Sequence, residues 1–149
     1  MRPFDITTDA ELYVDGYCDS FLQSYPGITV TDSLRAGYRD SLAQLELVPG
    51  LVAFTIDNAN NDPVAFVVLS LQESEVARQL SIDVLYVNPG YRRRGLGREL
   101  IERALAYARE HRAISIQLHV SVGNEPALAL YRGTGFATTR LQLERASAA

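Results

Sequence analysis

The spacing of apolar residues changes most clearly between residues 80 and 112. From 80 to 87, apolar side chains first alternate with polar ones and then become continuous, which is typical of a strand covered on both faces towards its end. From 96 to 108 they recur at intervals of three and four, as on one face of a helix. The tripeptide Asn88-Pro89-Gly90 between these segments is typical of a turn. The pattern therefore predicts a strand, a loop and a long amphipathic helix.

The same pattern predicts further elements on both sides of this central unit. Two amphipathic helices come first, one beginning after Thr8 or Asp9 and one beginning after Thr31 or Asp32. A last short helix is predicted to begin at Asn124, which is a good N-cap residue. Strands are predicted over the ranges 2–8, 51–56, 64–71, 78–87, 114–120 and 136–144.

The connections between the predicted strands indicate how they pair. Polar loops join the ranges 51–56, 64–71 and 78–87, which favours antiparallel hairpins. The strand–helix–strand unit over 78–120 instead requires a right-handed crossover and a parallel pair. The predicted fold class is therefore α/β of the mixed α+β kind, with a mostly antiparallel sheet, one parallel strand–helix–strand unit and flanking helices. At 149 residues, we expect the range 1–149 to form a single domain.

Composition narrows the classes of function. The net charge is −4 and the isoelectric point is about 5.1, which argues against a general affinity for nucleic acid or for an anionic membrane. The single cysteine, Cys18, provides neither a disulfide framework nor the spacing of a zinc site. We see no signal peptide and no apolar run long enough to span a bilayer, so we expect a cytoplasmic protein.

A basic loop that contains two glycines connects the central strand to the central helix. It reads Arg92-Arg93-Arg94-Gly95-Leu96-Gly97. The glycines lack Cβ and let a ligand approach the backbone, and the free amides at a helix start attract an anion. Arginine binds phosphate through two parallel hydrogen bonds. The loop therefore predicts a pyrophosphate site, and the alternative is a helix entry with solvated arginines, since a lone GxG is a weak motif.

Two segments resemble signatures of the GNAT superfamily of acyl-CoA-dependent N-acyltransferases. The loop from Arg92 to Gly97 matches Q/R-x-x-G-x-G/A, and Asn124 followed by the residues Leu130 to Phe136 resembles the second signature, L-Y-x-x-x-G-F. The resemblance extends from roughly Val64 to Phe136. It implies a gap between two strands that admits the pantetheine arm of CoA, and an acceptor groove beside the first two helices. A Rossmann fingerprint fits less well, because the further spaced glycine is missing.

The resemblance implies an N-acetyltransferase that transfers the acetyl group of acetyl-CoA directly to a primary amine, without a metal. The acceptor would be a small molecule, a peptide or a protein, the enzyme could pair as a homodimer, and neither nucleic acid nor membrane would be a partner. Cofactor contacts are implied for Leu85, Tyr86, Val87, Arg92, Arg93, Arg94, Gly95, Leu96, Gly97, Arg98, Asn124 and Tyr131.

Three side chains are candidates for proton transfer. By the resemblance, Tyr131 would protonate the leaving thiolate, although its ring could simply pack in the interior. Glu73 and Asp83 are candidate general bases, with surface charge as the alternative for Glu73. A backbone N–H near Val87 would polarise the thioester carbonyl. Tyrosines are concentrated near the N-terminus, and we expect most of them to serve core packing. A CoA-binding regulatory domain without turnover and a nucleotide-binding module remain alternatives.

Overall fold

The computed structural model describes residues 1–148, and its centre is a five-stranded sheet in the order β1-β2-β3-β4-β5. Pairs from β1 to β4 are antiparallel, and β4 and β5 are parallel, which confirms the predicted fold class. The strands are β1 (Arg2–Pro3), β2 (Leu51–Asp57), β3 (Pro63–Glu73), β4 (Arg78–Val87) and β5 (Ser115–Leu118). The helices are α1 (Ala10–Ser24), α2 (Asp32–Ser41), α3 (Gln44–Leu47), α4 (Leu96–Glu110) and α5 (Glu125–Gly133). No helix in the described chain is both long and apolar enough to cross a bilayer.

The core has two layers, one on each face of the sheet. On one face, α1 packs against side chains that include Phe66 of β3 and Tyr86 of β4. On the other face, Leu100 of α4 packs against side chains that include Leu69 of β3 and Leu80 of β4. Because both faces are covered, the buried run from Val64 to Leu69 in β3 is continuously apolar.

A bulge in β4 interrupts the alternation of its side chains. Leu69 is opposite Ile82 and Val68 is opposite Val84, so Asp83 has no partner residue on β3. Ile82 therefore packs towards α4, whereas Val84 packs towards α1. The simple alternation predicted for residues 80–87 was wrong across this point, since a bulge turns two successive side chains to the same face. Asp83 consequently lies on the face of the sheet that carries α1.

The helix α1 begins directly after Asp9, as predicted, but Asp9 does not cap it through its side chain. Asp9 occupies the N-cap position, but its side chain accepts no capping hydrogen bond. Its fully buried carboxylate instead accepts two hydrogen bonds of 2.8 Å from Arg2 and one of 2.9 Å from the hydroxyl of Thr55. Thr31 does cap α2 as predicted, since its side chain accepts a hydrogen bond from the amide of Leu34.

The two terminal strands are shorter than predicted or do not form. The predicted edge strand over 2–8 is reduced to Arg2–Pro3. The strand predicted over 136–144 does not form within the described residues, and Leu141 and Leu143 are 79% and 89% exposed. An alternating segment forms a strand only where it can pair with a neighbouring strand and pack its apolar side chains against the core. Residues 136–144 do neither.

Candidate functional site

The strands β4 and β5 separate beside the start of α4. β5 pairs with β4 only as far as Ile82, whereas β4 continues along β3 to Val87. The amide of Asn88 donates to the carbonyl of Val64 at 2.8 Å. Since hydrogen bonding alternates along an antiparallel ladder, Leu85 and Val87 direct their amide and carbonyl groups away from β3. An open strand edge therefore faces the gap, and its free groups are the amides of Leu85 and Val87 and the carbonyl of Leu85, since the carbonyl of Val87 accepts a hydrogen bond from Arg92.

The loop that follows presents a row of backbone amides without partners. Within residues 1–148, no amide from Arg93 to Arg98 donates to a protein acceptor, and the first that does is Glu99, to the carbonyl of Gly95 at 3.0 Å. Arg93 and Gly95 both adopt left-handed conformations, with φ of 62° and 82°. Successive amides in turns of this kind form concave anion sites, and the dipole of α4 adds to the attraction.

The three arginines of the loop have different surroundings. Nε of Arg92 donates to the carbonyl of Val87 at 2.9 Å, and its guanidinium lies 5.8 Å from the centre of the Tyr86 ring. Arg92 thus stabilises the end of β4. Arg93 and Arg94 are exposed, and Arg94 lies over the ring of Tyr91 at 5.1 Å. Their positive charge is therefore accessible to an anion beside the free amides.

The two glycines of the loop are needed for different reasons. Gly95 has a positive φ, and a Cβ added there would meet no atom within 4 Å. A Cβ on Gly97 would instead lie 2.8 Å from Cδ2 of Leu130 in α5. From the sequence, both glycines were expected to let a ligand approach the backbone, and the contact between Gly97 and Leu130 was missed because no local pattern signals it. Gly97 therefore lets α5 pack closely on the start of α4.

The helix α5 carries two of the predicted site residues. The side-chain oxygen of Asn124 accepts a hydrogen bond from the amide of Ala127 at 3.3 Å, so Asn124 caps the helix. Tyr131 is partly buried with its ring edge-on to Phe136, at 5.7 Å between centroids. Burial raises the pKa of the Tyr131 hydroxyl, which therefore stays protonated at neutral pH. That hydroxyl makes no hydrogen bond to protein within residues 1–148, and since no buried side-chain oxygen there lacks a partner, it reaches solvent and is available to donate a proton.

The two candidate bases lie at very different distances from the gap. Glu73 pairs with Arg78 at 2.8 Å, at the opposite end of β4 from Val87. Nine residues of strand separate these ends, or roughly 30 Å at about 3.3 Å per residue. Asp83, by contrast, is two residues from Leu85, and its carboxylate accepts a hydrogen bond of 2.9 Å from Ser70. Burial raises the pKa of Asp83 despite that hydrogen bond, as suits a general base.

A groove lies between α1 and α2, on the same face of the sheet as Asp83. Its volume is about 530 Å³. Tyr13, Tyr17 and Tyr38 line it, and their ring centroids are 4.4 Å and 5.3 Å apart in that order. Tyr13 is part of the core, as expected, whereas Tyr17 and Tyr38 are only partly buried. Some of the N-terminal tyrosines therefore form a surface that a ligand can reach.

Comparison with known proteins identifies the family. Residues 15–136 match the model of the Acetyltransferase (GNAT) family. The chain belongs to this family. The matched range runs from within α1 to Phe136, three residues beyond α5, so it includes the open edge of β4, the amide loop and Tyr131. The match thus confirms the family that the two sequence segments resemble.

Individual relatives of this GNAT protein act on different acceptors. The chain is 33% identical over 110 residues to the peptidyl-lysine N-acetyltransferase YjaB of Escherichia coli, covering 72% of this chain and 66% of that one. It is 37% identical over 84 residues to the streptothricin acetyltransferase of Streptomyces lavendulae, covering 56% and 43%. A solved structure of a mutant BH1408 protein from Bacillus halodurans shares the fold, with a TM-score of 0.82, 16% identity and 97% coverage of both chains. The chain therefore spans from under half to about two thirds of the length of these two curated relatives.

The structure of this GNAT protein brings most of the predicted site residues to one end of the sheet. Leu85, Tyr86, Val87 and the range 92–98 form one continuous edge and loop, and α5 packs beside it. Glu73 alone lies at the opposite end of the sheet. The sequence did not reveal the position of Asp83 relative to α1, because the bulge that determines it leaves no distinct residue pattern.

Proposed function

We propose that this chain is an N-acetyltransferase that transfers the acetyl group of acetyl-CoA directly to a primary amine of a small molecule, a peptide or a protein. The observation that carries the proposal is that free backbone groups on the open edge of β4 are followed, after one turn, by the free amides of Arg93–Arg98. An extended arm that ends in a diphosphate matches this arrangement, because the edge pairs with amides of the arm and the loop binds the anion.

Backbone and side chains have separate roles in the proposed binding. The amides of Leu85 and Val87 bind the pantetheine arm, and one of them polarises the thioester carbonyl. The amides and the exposed arginines of the loop bind the diphosphate. Asn124 is proposed to contact the arm through its side-chain NH₂ group, since its oxygen is already used for capping.

The proposed reaction needs two proton transfers. Acetyl-CoA supplies a thioester, whose C–S bond breaks as the amine nitrogen forms a bond to the carbonyl carbon. Asp83 accepts the proton that the amine loses, directly or through water. Tyr131 donates a proton to the departing sulfur and is reprotonated from solvent, while the proton taken up by Asp83 returns to solvent, so a neutral amine and the thioester give the amide and the free thiol with no net change in protons. Glu73 has no role in this proposal, because it is paired with Arg78 far from the gap.

The absence of lysine from the sequence makes the experiment simple to interpret. All 14 basic residues are arginines, so any acetyl-lysine that forms in an assay belongs to the acceptor. Thiol release from acetyl-CoA is measured with a panel of small amines and a lysine-containing peptide. We expect release that depends on the amine and yields one thiol per acetylated amine. Tight binding of CoA without release for any amine would instead indicate a regulatory domain.

A single domain over 1–149, a cytoplasmic location and pairing as a homodimer stay predictions. Sedimentation of the purified protein checks the last of these: the mass of two chains would support pairing, and the mass of one chain would contradict it.

A further inference from the structure

Polar side chains form a ladder between β4 and β5 on the face of the sheet that carries α1. Nε2 of Gln79 donates to the hydroxyl of Ser115 at 3.3 Å, and Nε2 of Gln117 donates to the hydroxyl of Ser81 at 3.2 Å. The alternate residues of both strands pack into the apolar core under α4. Every second residue of the two strands therefore adds a polar cross-strand pair on the α1 face.

The next step of this ladder consists of Asp83 on β4 and His119 after β5. The last paired residues of the two strands are Ile82 and Leu118. Asp83 and His119 therefore follow directly, one on each strand. Since side chains alternate along a strand, His119 is on the same face as Gln117 and hence as Asp83. Neighbouring strands lie about 4.8 Å apart before they separate, so the two side chains face each other across the mouth of the gap.

Both side chains keep free polar atoms at this position. Oδ1 of Asp83 accepts a hydrogen bond of 2.9 Å from the hydroxyl of Ser70, and Oδ2 bonds to no protein group within residues 1–148. His119 is exposed, and its ring makes no hydrogen bond or ion pair within the same residues. The other histidine, His111, directly follows α4 and has its Nδ1 2.9 Å from the carbonyl oxygen of Tyr107. The ring of His119 is thus free to exchange protons beside the gap.

Other charged groups near this position are paired or lie further along the chain. The residues within two positions of Asp83 and of His119 carry no charge. On α1, which covers this face, the carboxylates of Asp15 and Asp19 lie 2.9 Å and 3.8 Å from arginine nitrogens. Burial raises the pKa of Tyr17 on the same helix and keeps it neutral. The nearest charge to His119 along the two strands is therefore that of Asp83.

A carboxylate alone is a weak acceptor for the proton of an alkylammonium group. The ordinary pKa values are about 10.4 for an alkylammonium, about 6.5 for imidazole and about 3.9 for aspartate, and each unit is a factor of ten in the equilibrium of proton transfer. Passing the proton from an ordinary aspartate to imidazole makes deprotonation of the amine about 400-fold more favourable. Burial raises the pKa of Asp83 and reduces this advantage.

We propose that Asp83 and His119 form a proton relay, in which Asp83 takes each proton that the acceptor nitrogen loses and passes it to His119 across the mouth of the gap. The proposal rests on the proposed acetyltransferase function. In each transfer an N–H bond of the acceptor breaks, its electron pair stays on nitrogen, and the neutral imidazole becomes imidazolium. The imidazolium then loses the proton to solvent, which restores the relay. His119 acts through Asp83 and does not touch the acceptor.

A titration followed by nuclear magnetic resonance tests the pairing of Asp83 and His119 without requiring turnover. The chain has two histidines, so comparison with His119→Gln assigns their ring signals. A facing carboxylate stabilises imidazolium, so we expect Asp83→Asn to lower the pKa of His119 by about 0.5 or more and to leave the pKa of His111 unchanged. An equal pKa of His119 in the wild type and in Asp83→Asn would overturn the proposal.

Thiol release measures what His119 contributes to the reaction. We expect His119→Gln and His119→Ala to lower kcat/KM for the amine about 10- to 100-fold and to leave the Kd of CoA within about twofold. Free imidazole should restore part of the activity of His119→Ala, because the position is exposed, and should not restore that of Asp83→Asn.

The matched control is His111→Gln, which removes the other histidine and should leave kcat/KM unchanged. Wild-type activity in both His119 variants, or a loss in His119→Ala that imidazole does not restore, would overturn the relay. Absence of thiol release from the wild type with every amine would contradict the acetyltransferase function itself, which separates that failure from a failure of the relay.

Discussion

The close packing of α1 against the sheet depends on Gly16. A Cβ added there would lie 2.5 Å and 2.6 Å from two atoms of the Phe66 ring and 3.0 Å from Cβ of Tyr86. Carbon atoms pack best at about 3.5–4.0 Å, so Gly16→Ala requires α1 or the ring to move by about 1 Å. Because α1 carries Tyr13 and Tyr17, such a movement would also change the groove.

The size of the effect follows from the surroundings of the ring. Phe66 is 0% exposed, and the rings of Phe4, Tyr13 and Tyr86 lie 5.9–6.1 Å from it, so it has no space into which to turn. Overpacking of this kind costs about 1–3 kcal/mol, and alanine returns about 0.5–1 kcal/mol through its better helix propensity. We therefore expect Gly16→Ala to lower the free energy of unfolding by about 1–2 kcal/mol.

Gly37→Ala is the matched control, since the same change in the neighbouring helix meets no atom. It should raise the free energy of unfolding by about 0.5–1 kcal/mol. The two variants should thus differ by about 1.5–3 kcal/mol in urea unfolding followed by circular dichroism. Equal stability of Gly16→Ala and Gly37→Ala would show that α1 does not pack on Phe66 as described.

Three further predictions concern proton transfer and the buried ion pair. Tyr131→Phe should lower kcat about 10²-fold in the thiol-release assay and leave the Kd of CoA within about twofold; an unchanged kcat would remove Tyr131 as the acid. Ser70→Ala removes a hydrogen bond to the ionised form of Asp83, which raises its pKa further, so the acid limb of kcat/KM should move to higher pH. An unmoved limb would mean that Asp83 is not the base. Arg2→Met should lower the free energy of unfolding by about 2–4 kcal/mol at pH 7, because it leaves the buried Asp9 carboxylate without its cation. Burial opposes ionisation of Asp9, but hydrogen bonds, first from Arg2, hold its pKa below the ordinary value. The difference in the free energy of unfolding between the wild type and Arg2→Met should therefore become smaller as pH falls below about 4. A difference that does not depend on pH would contradict this explanation.

The sequence predicted those parts of the fold that depend on local pattern. The helical spacing after Leu96 correctly predicted α4, and the polar loops around β3 correctly predicted the antiparallel hairpins. The strand predicted over 136–144 did not form, because alternation of Leu141 and Leu143 does not by itself provide a neighbouring strand.

The candidate site was predictable to the extent that it is built from backbone. A glycine-containing loop at a helix start implies free amides wherever it occurs, and the structure has them from Arg93 to Arg98. The side chains were less predictable, since their positions depend on contacts between distant residues. The bulge that places Asp83 beside α1 and the contact between Gly97 and Leu130 are both of this kind.

The central claim is that the free amides of the loop bind a diphosphate, and calorimetry with three donors tests it directly. Acetyl-CoA and acetyl-dephospho-CoA both carry the diphosphate, whereas S-acetylpantetheine has the same arm and thioester without it. Hydrogen bonds to a charged group contribute about 1.5–3 kcal/mol each, and 1.4 kcal/mol is a tenfold change in Kd. We therefore expect the first two donors to bind within about tenfold of each other and at least about 100-fold more tightly than S-acetylpantetheine. Equal affinity for all three, or no heat with acetyl-CoA at millimolar concentration, would contradict the account.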